Sequence, residues 1–206
     1  MTNKTFDLDG ASVLVVGATG GLGAPLVQAL AARGSRLTLA ARDRGKLEAL
    51  APPGARVIAA DLREPGAPAR MVDAAVDSFG RLDGVVCIAG VVAFGLVSGL
   101  ADDTIDDLFG SNLLGPIRLA RAALPHLAEA AKHPRAGRDA DHAFLLNVSA
   151  VVAERPVAGM AAYVATKAGL AAFDAALARE VRAARIRVVD ARPPHTETEL
   201  SRHPIA

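Results

Sequence analysis

The sequence predicts an α/β protein in three layers: one doubly wound parallel sheet with helices on both faces. Three observations lead there. Short Val/Ile/Leu-rich runs recur along the chain, segments with helical apolar spacing separate them, and Gly or Pro marks most junctions. Strands covered on both faces read as continuous apolar runs rather than alternating ones, which favours a parallel sheet.

Ser12–Val16 is a β-branched run between Gly10 and Gly17 and predicts the first strand. A helix follows over Leu22–Arg33, with Leu22, Leu26, Ala29 and Leu30 on one face, Pro25 in its first turn and Gly34 closing it. Arg36–Ala41 is the second strand, Lys46–Leu50 a short helix stopped by Pro52-Pro53-Gly54, and Arg56–Ala60 the third strand. Pro68–Phe79 reads as a helix along Met71, Ala75 and Phe79. Gly84–Ile88 is the fourth strand. Helical pattern covers Asp102–Asn112 and resumes, after Gly115-Pro116, over Ile117–Lys132. His133–Asp141 is polar and reads as a surface loop. Ala143–Val148 is the fifth strand, Ala161–Ala184 one long Ala-rich helix, and Ile186–Ala191 the sixth strand, stopped by Pro193-Pro194. In such sheets ligands bind beyond the carboxyl ends of the strands.

The 206 residues fit one domain spanning 1–206. Apolar residues make up 51%, but aromatics only 3%, with a single Tyr. The balance of 23 basic and 22 acidic residues argues against a nucleic-acid partner, and low net charge with high hydrophobicity argues against disorder. The one cysteine, Cys87, excludes an internal disulfide and a Cys-based metal cage, and fits a reducing, cytoplasmic setting. Met1–Gly10 carries Asp7 and Asp9 and lacks the apolar core of a signal peptide. The longest uncharged stretch, Gly84–Ala101, holds four glycines and Ser98, so a strand entering a glycine loop explains it better than a membrane span. The five histidines show no i,i+4 pairing, and no metal site is expected.

Between the first strand and first helix stands Gly17-Ala-Thr-Gly-Gly-Leu-Gly23, with glycines 17, 21 and 23 in G-x-x-x-G-x-G spacing. A diphosphate reaching a helix N-terminus needs backbone N–H groups and the positive end of the helix dipole, and side chains would block its approach. Thr19, Gly20 and Leu22 belong to the same turn. The alternative reading is a tight turn that only packs helix on strand. The second strand ends Ala40-Ala41-Arg42. A carboxylate there would take the 2′-OH of a ribose, whereas the Arg42 guanidinium suits a 2′-phosphate. Asp43, one residue on, is the competitor that favours NAD(H). On balance NADP(H) is expected. Asp61-Leu62, at the end of the third strand, is placed to meet the adenine edge.

Tyr163-Val-Ala-Thr-Lys167 sets the only tyrosine four residues before one of four lysines, on one helix face. A neighbouring ammonium favours phenolate and is expected to lower the phenol pKa toward the range useful for acid/base work.

These segments together resemble the short-chain dehydrogenase/reductase family, over Leu8 to about Thr198. The carriers are Gly17-x-x-x-Gly21-x-Gly23, Asp61-Leu62, Ala89-Gly90, Ser111-Asn112, Asn147-Val-Ser149, Tyr163-x-x-x-Lys167 and Arg192-Pro-Pro-His-Thr-Glu-Thr198. The resemblance implies a Rossmann-like fold and hydride transfer between a nicotinamide and a small carbonyl or secondary alcohol. It implies that Tyr163 is the acid/base, that Lys167 binds the nicotinamide ribose, and that Asn112 holds a water leading from that lysine. A serine would polarise the substrate oxygen, and Pro193, Thr196 and Thr198 would contact the cofactor. It also implies a homodimer or homotetramer. The face of Leu119, Ala122, Ala123 and Leu127, with the Ala-rich side of Leu170–Ala178, either pairs between subunits or packs on its own sheet.

The sequence departs from that family in four places. Cys87-Ile88 stand where two asparagines are usual, and Pro194 stands where a glycine is usual. The serine slot, counted back from Tyr163, falls on Ala150, and Ser149 serves only if the backbone turns there. The usual last strand and helix are expected to be lacking, which leaves either an exposed edge strand or a missing C-terminal segment. The other reading of the whole is a dinucleotide-binding regulatory protein without turnover.

Overall fold

A computed structural model describes residues 6–135, 143–193 and 204–205. Six parallel strands form one sheet in the order β3-β2-β1-β4-β5-β6: β1 Ser12–Val16, β2 Arg36–Ala41, β3 Arg56–Ala59, β4 Gly84–Cys87, β5 Ala143–Val148 and β6 Ile186–Ala191. The order reverses between β1 and β4, which opens a crevice at their carboxyl ends. Each strand lies within a residue of its expected span, because buried Val/Ile/Leu runs have little freedom in register.

Helices α1 (Gly23–Ala31) and α2 (Arg44–Leu50) cover one face, where Val27, Leu30 and Leu47 meet Val13, Val15, Leu37 and Leu39. Helices α3 (Ala67–Phe79), α5 (Gly115–Lys132) and α6 (Ala161–Glu180) cover the other, where Met71, Leu119, Leu127 and Leu177 meet Leu14, Val85 and Leu145. Leu119, Ala123 and Leu127 are fully buried in this core. Of the two alternatives left open for that face, these three residues take the second and pack on their own sheet.

Two helix boundaries differ from the sequence reading. Helix α6 ends at Glu180, and a 3-10 turn, Arg182–Ala184, leads through left-handed Arg185 (φ 58°) into β6. Helices α4 (Asp102–Phe109) and α5 are not separated at Gly115-Pro116. A π turn, Gly110–Leu114, joins them, with the Gly115 N–H bonded five residues back to Gly110 O. Pro116 sits in the first turn of α5, where its missing N–H costs nothing. Gly115 is needed there because a Cβ would stand 2.6 Å from the Leu62 side chain. Of the expected loop His133–Asp141, residues 136–141 lie outside the described residues. Among the described residues no seventh strand is present, and no helix is long and apolar enough to cross a membrane.

Candidate active site

The β1–α1 turn is built for close approach. Gly17 has φ 89°, and a Cβ on it would meet the Ala89 backbone nitrogen at 2.5 Å. A Cβ on Gly23 would meet the Ala18 carbonyl oxygen at 2.7 Å. Only glycine fits at either position. No side chain caps the N-terminus of α1. A cavity of about 510 Å³ opens here. Its walls include Gly17, Thr19, Gly20, Gly21, Leu22, Gly23, Arg42, Asp61, Leu62, Ala89 and Gly90, all expected from sequence, together with Asp43, Lys46 and Ser111.

At one end of the cavity Asp43 is the N-cap of α2, its Oδ1 accepting from the Lys46 N–H at 3.0 Å. That engagement leaves Arg42 and Lys46 as the cationic side chains on this wall. The Asp61 carboxylate is clasped by Arg63, with Nη2 donating at 2.8 Å and Nε at 3.2 Å to both oxygens. Arg63 also pairs with Asp107 of α4. The Arg63 guanidinium holds the Asp61 carboxyl below the usual carboxylate range, with Arg42 adding in the same direction. Arg63 was missed in the sequence. Its only signal was an Asp-x-Arg at a strand end.

Next to the Gly90 wall α6 presents Tyr163, Lys167, Leu170 and Asp174 as one buried stripe. The Lys167 Nζ donates to Val148 O at 2.8 Å and lies 5.8 Å from the centre of the Tyr163 ring. Burial lowers Lys167 to about 8. Burial also raises the Tyr163 phenol above its ordinary value, which corrects the expectation of a lowering by Lys167: the ammonium sits against the ring and is bonded to a strand carbonyl. Asn112, fully buried on the π turn, accepts from the Val91 N–H at 2.9 Å and donates to Val91 O at 2.9 Å and to Thr166 Oγ1 at 3.2 Å. A Cβ on Gly90 would lie 2.9 Å from Asn112 Oδ1 and 3.5 Å from Lys167 Nζ.

With this geometry in view, the comparisons decide the family. The sequence profile of the short chain dehydrogenase family matches residues 11–204. The chain is a short-chain dehydrogenase/reductase. An uncharacterized oxidoreductase of Methylorubrum extorquens is 31% identical over 93% of this chain and 75% of its own. A 3-oxoacyl-[acyl-carrier-protein] reductase of Escherichia coli is 27% identical over 96% and 78%. Among solved structures, a 3-ketoacyl-(acyl-carrier-protein) reductase from Brucella melitensis complexed with NADH superposes with TM-score 0.87, at 29% identity over 94% of this chain and 79% of that one. A metagenomic short-chain oxidoreductase in complex with NADP gives TM-score 0.81, at 32% identity over 92% and 85%.

Within this short-chain dehydrogenase, Ser149 and Ala150 are placed apart. The backbone stays extended at Ala150 (φ −164°, ψ 155°), so the two side chains project to opposite sides. Ala150 packs in the cluster around Tyr163, Val92 and Leu108. The Ser149 hydroxyl is buried, without a hydrogen-bond partner. Pro193 lies two residues past the end of β6, and Thr196 and Thr198 lie outside the described residues. Sequence reasoning missed Ile205, whose N–H donates to Val92 O at 2.9 Å and whose side chain joins the Tyr163 cluster.

Proposed function

We propose that this short-chain dehydrogenase transfers hydride between NADP(H) and a small carbonyl or secondary alcohol, with Tyr163 as acid/base and Lys167 beside it. The observation that carries the reading is the approach of Lys167 to the wall of one strand-end cavity. The glycine cradle, Arg42, Lys46 and Gly90 line that cavity, and a Cβ on Gly90 would stand 3.5 Å from Lys167 Nζ, which is set beside Tyr163 on α6.

The cradle residues suit a dinucleotide. Glycine 17 and 23 leave backbone exposed where a diphosphate would meet the start of α1. Asp61, oriented by Arg63, faces the adenine end. Arg42 and Lys46 would receive a 2′-phosphate, while Asp43, with Oδ1 engaged as the cap of α2, is the competing carboxylate on the same wall. The NADP bound by the metagenomic relative supports this choice, although the Brucella relative holds NADH. When bound, the nicotinamide supplies or accepts the hydride.

In the reduction direction Tyr163, protonated at neutral pH as a phenol ordinarily is, donates its proton to the carbonyl oxygen. Lys167, anchored on Val148 O, would bind the nicotinamide ribose and carry positive charge below about pH 8. Asn112 rivets the loop after β4 to the π turn and would hold a relay water on that turn. Ser149, the second hydroxyl the family resemblance calls for, stands behind Ala150, so Tyr163 carries the substrate oxygen without it. Homo-oligomerisation is proposed through the apolar groove of Ile117 and Leu124 on α5, Phe173 on α6 and Ala184 on the 3-10 turn after it, which the chain's own core leaves open.

NADPH consumption across a panel of ketones and aldehydes tests the reading: turnover with at least one class supports it. Tight NADPH binding with no turnover on any would favour the regulatory alternative, for which Ala150 beside Tyr163 and Ile205 in the same cluster are the supporting observations.

A further inference from the structure

Behind the Tyr163–Lys167 pair lies a polar cluster that the proposed reaction does not use. Asp174 of α6 is 3% exposed and accepts at Oδ1 from Asn147 Nδ2 of β5 at 2.6 Å. Asn147 is directly paired in register with Asp190 of β6. Among the described residues four buried oxygens in this region lack a hydrogen-bond partner: Asn147 Oδ1, Ser149 Oγ, Asp174 Oδ2 and Asp190 Oδ1. Three of them can only accept while Asp174 is ionised, the Ser149 hydroxyl being the one donor, and unpaired buried acceptors are costly. One proton on Asp174 turns its free oxygen into a donor and relieves it.

The cluster is mechanically tied to Lys167. Val148, whose carbonyl receives the Lys167 Nζ, follows Asn147 in β5, and Asp174 lies two turns beyond Lys167 on α6. The Asn147–Asp174 bond therefore fixes strand against helix at the point where the lysine is anchored. We propose that Asp174 is a positioning residue for Lys167, clamping α6 to β5 through Asn147 so that the ammonium stays on the Val148 carbonyl. The role assigned to Lys167 rests on the functional reading above; the clamp itself does not.

The charges facing Asp174 fit this assignment. Burial raises its carboxyl to about 7 against the Asn147 bond, which lowers it, and Asp190 of β6 adds to the rise. Asp190 is itself bonded through Oδ2 to Arg192 Nε at 2.6 Å, so its charge is compensated. The Cys87 thiol of β4 also faces the cluster and is kept neutral by burial, which pushes it up to about 12. Lys167 interacts with both Cys87 and Asp190. Ionising Asp174 would place a second, unpaired carboxylate beside Asp190.

The chain has four lysines, at 4, 46, 132 and 167, so lysine-labelled protein gives a spectrum simple enough to assign Lys167 by substitution. The test is the NMR titration of the Lys167 side-chain signal in the cofactor-free protein and in Asp174→Asn. The expected result is an extra inflection near neutrality in the unsubstituted protein, lost in Asp174→Asn. Asn147→Ala, which breaks the clamp from the strand side, should also change the Lys167 signal while the other lysine signals stay put. Identical Lys167 titrations in all three proteins overturn the proposal. The readout needs no turnover, so a failure to reduce any carbonyl would count against the functional reading alone.

Discussion

Ala150 and Ser149 separate two roles that a sequence motif merges. Losing one donor at a developing oxyanion typically costs about 10²–10³ in kcat. Ala150→Ser should therefore raise kcat for a carbonyl substrate by up to about 10², while Ser149→Ala should leave kcat within about threefold. Steady-state kinetics of the two variants checks this, and a large loss in Ser149→Ala would return the role to Ser149. Arg42 makes a second prediction at this scale. Arg42→Ala should weaken NADPH binding about tenfold or more and NADH binding hardly at all, as one charge-assisted phosphate contact is worth about 1.5–3 kcal/mol. Fluorescence titration of the reduced nicotinamides measures the ratio. The role of Arg42 was legible because a guanidinium ended the second strand. What the sequence could not show was that Asp43 is engaged as a helix cap, since capping depends on where α2 begins.

At the scale of the element, strands were readable and helix junctions less so. Val, Ile and Leu in β1, β2, β4 and β5 have one way to be buried, and their spans follow. The π turn between α4 and α5 was invisible because its cause lies elsewhere: Gly115 backs onto Leu62, and Asn112 is drawn to the Val91 backbone. Asn112→Ala removes all three of its side-chain bonds in a fully buried position. It should lower stability by about 2–4 kcal/mol, since Val91 is left with an unpaired N–H and C=O. Denaturant unfolding measures this. Gly17→Ala tests the β1–α1 turn: its Cβ would collide with rigid Ala89 backbone at a positive φ, so cofactor binding should be abolished even in protein that folds.

The whole molecule carries a pH dependence with an unusual sign. Asp174 has a folded pKa raised from 3.8 to about 7, so its contribution is fully present below the unfolded value and is lost as pH rises through about 7. Lys167 is lowered from 10.5 to about 8, which means its burial disfavours folding below about 8 and this penalty is relieved as pH rises toward 10.5. Asp61 runs the other way from Asp174, stabilising above its ordinary value and losing that contribution in acid. The thermal stability of the chain should therefore fall between about pH 4 and 7 relative to Asp174→Asn, and parallel curves would contradict the assignment. None of this was legible in the sequence, where Asp174 and Asp190 are two acids 16 residues apart; the register of β5 and β6 sets Asp190 beside Asn147, and Asn147 in turn bonds Asp174.

The central claim is that Tyr163 performs proton transfer at a nicotinamide-dependent carbonyl site, and Tyr163→Phe tests it most directly. The measurement is NADPH oxidation with a turned-over ketone, alongside NADPH affinity, in both proteins. The expected result is a kcat lower by about 10²–10⁴ with NADPH affinity unchanged. Equal kcat in the two proteins would contradict the account.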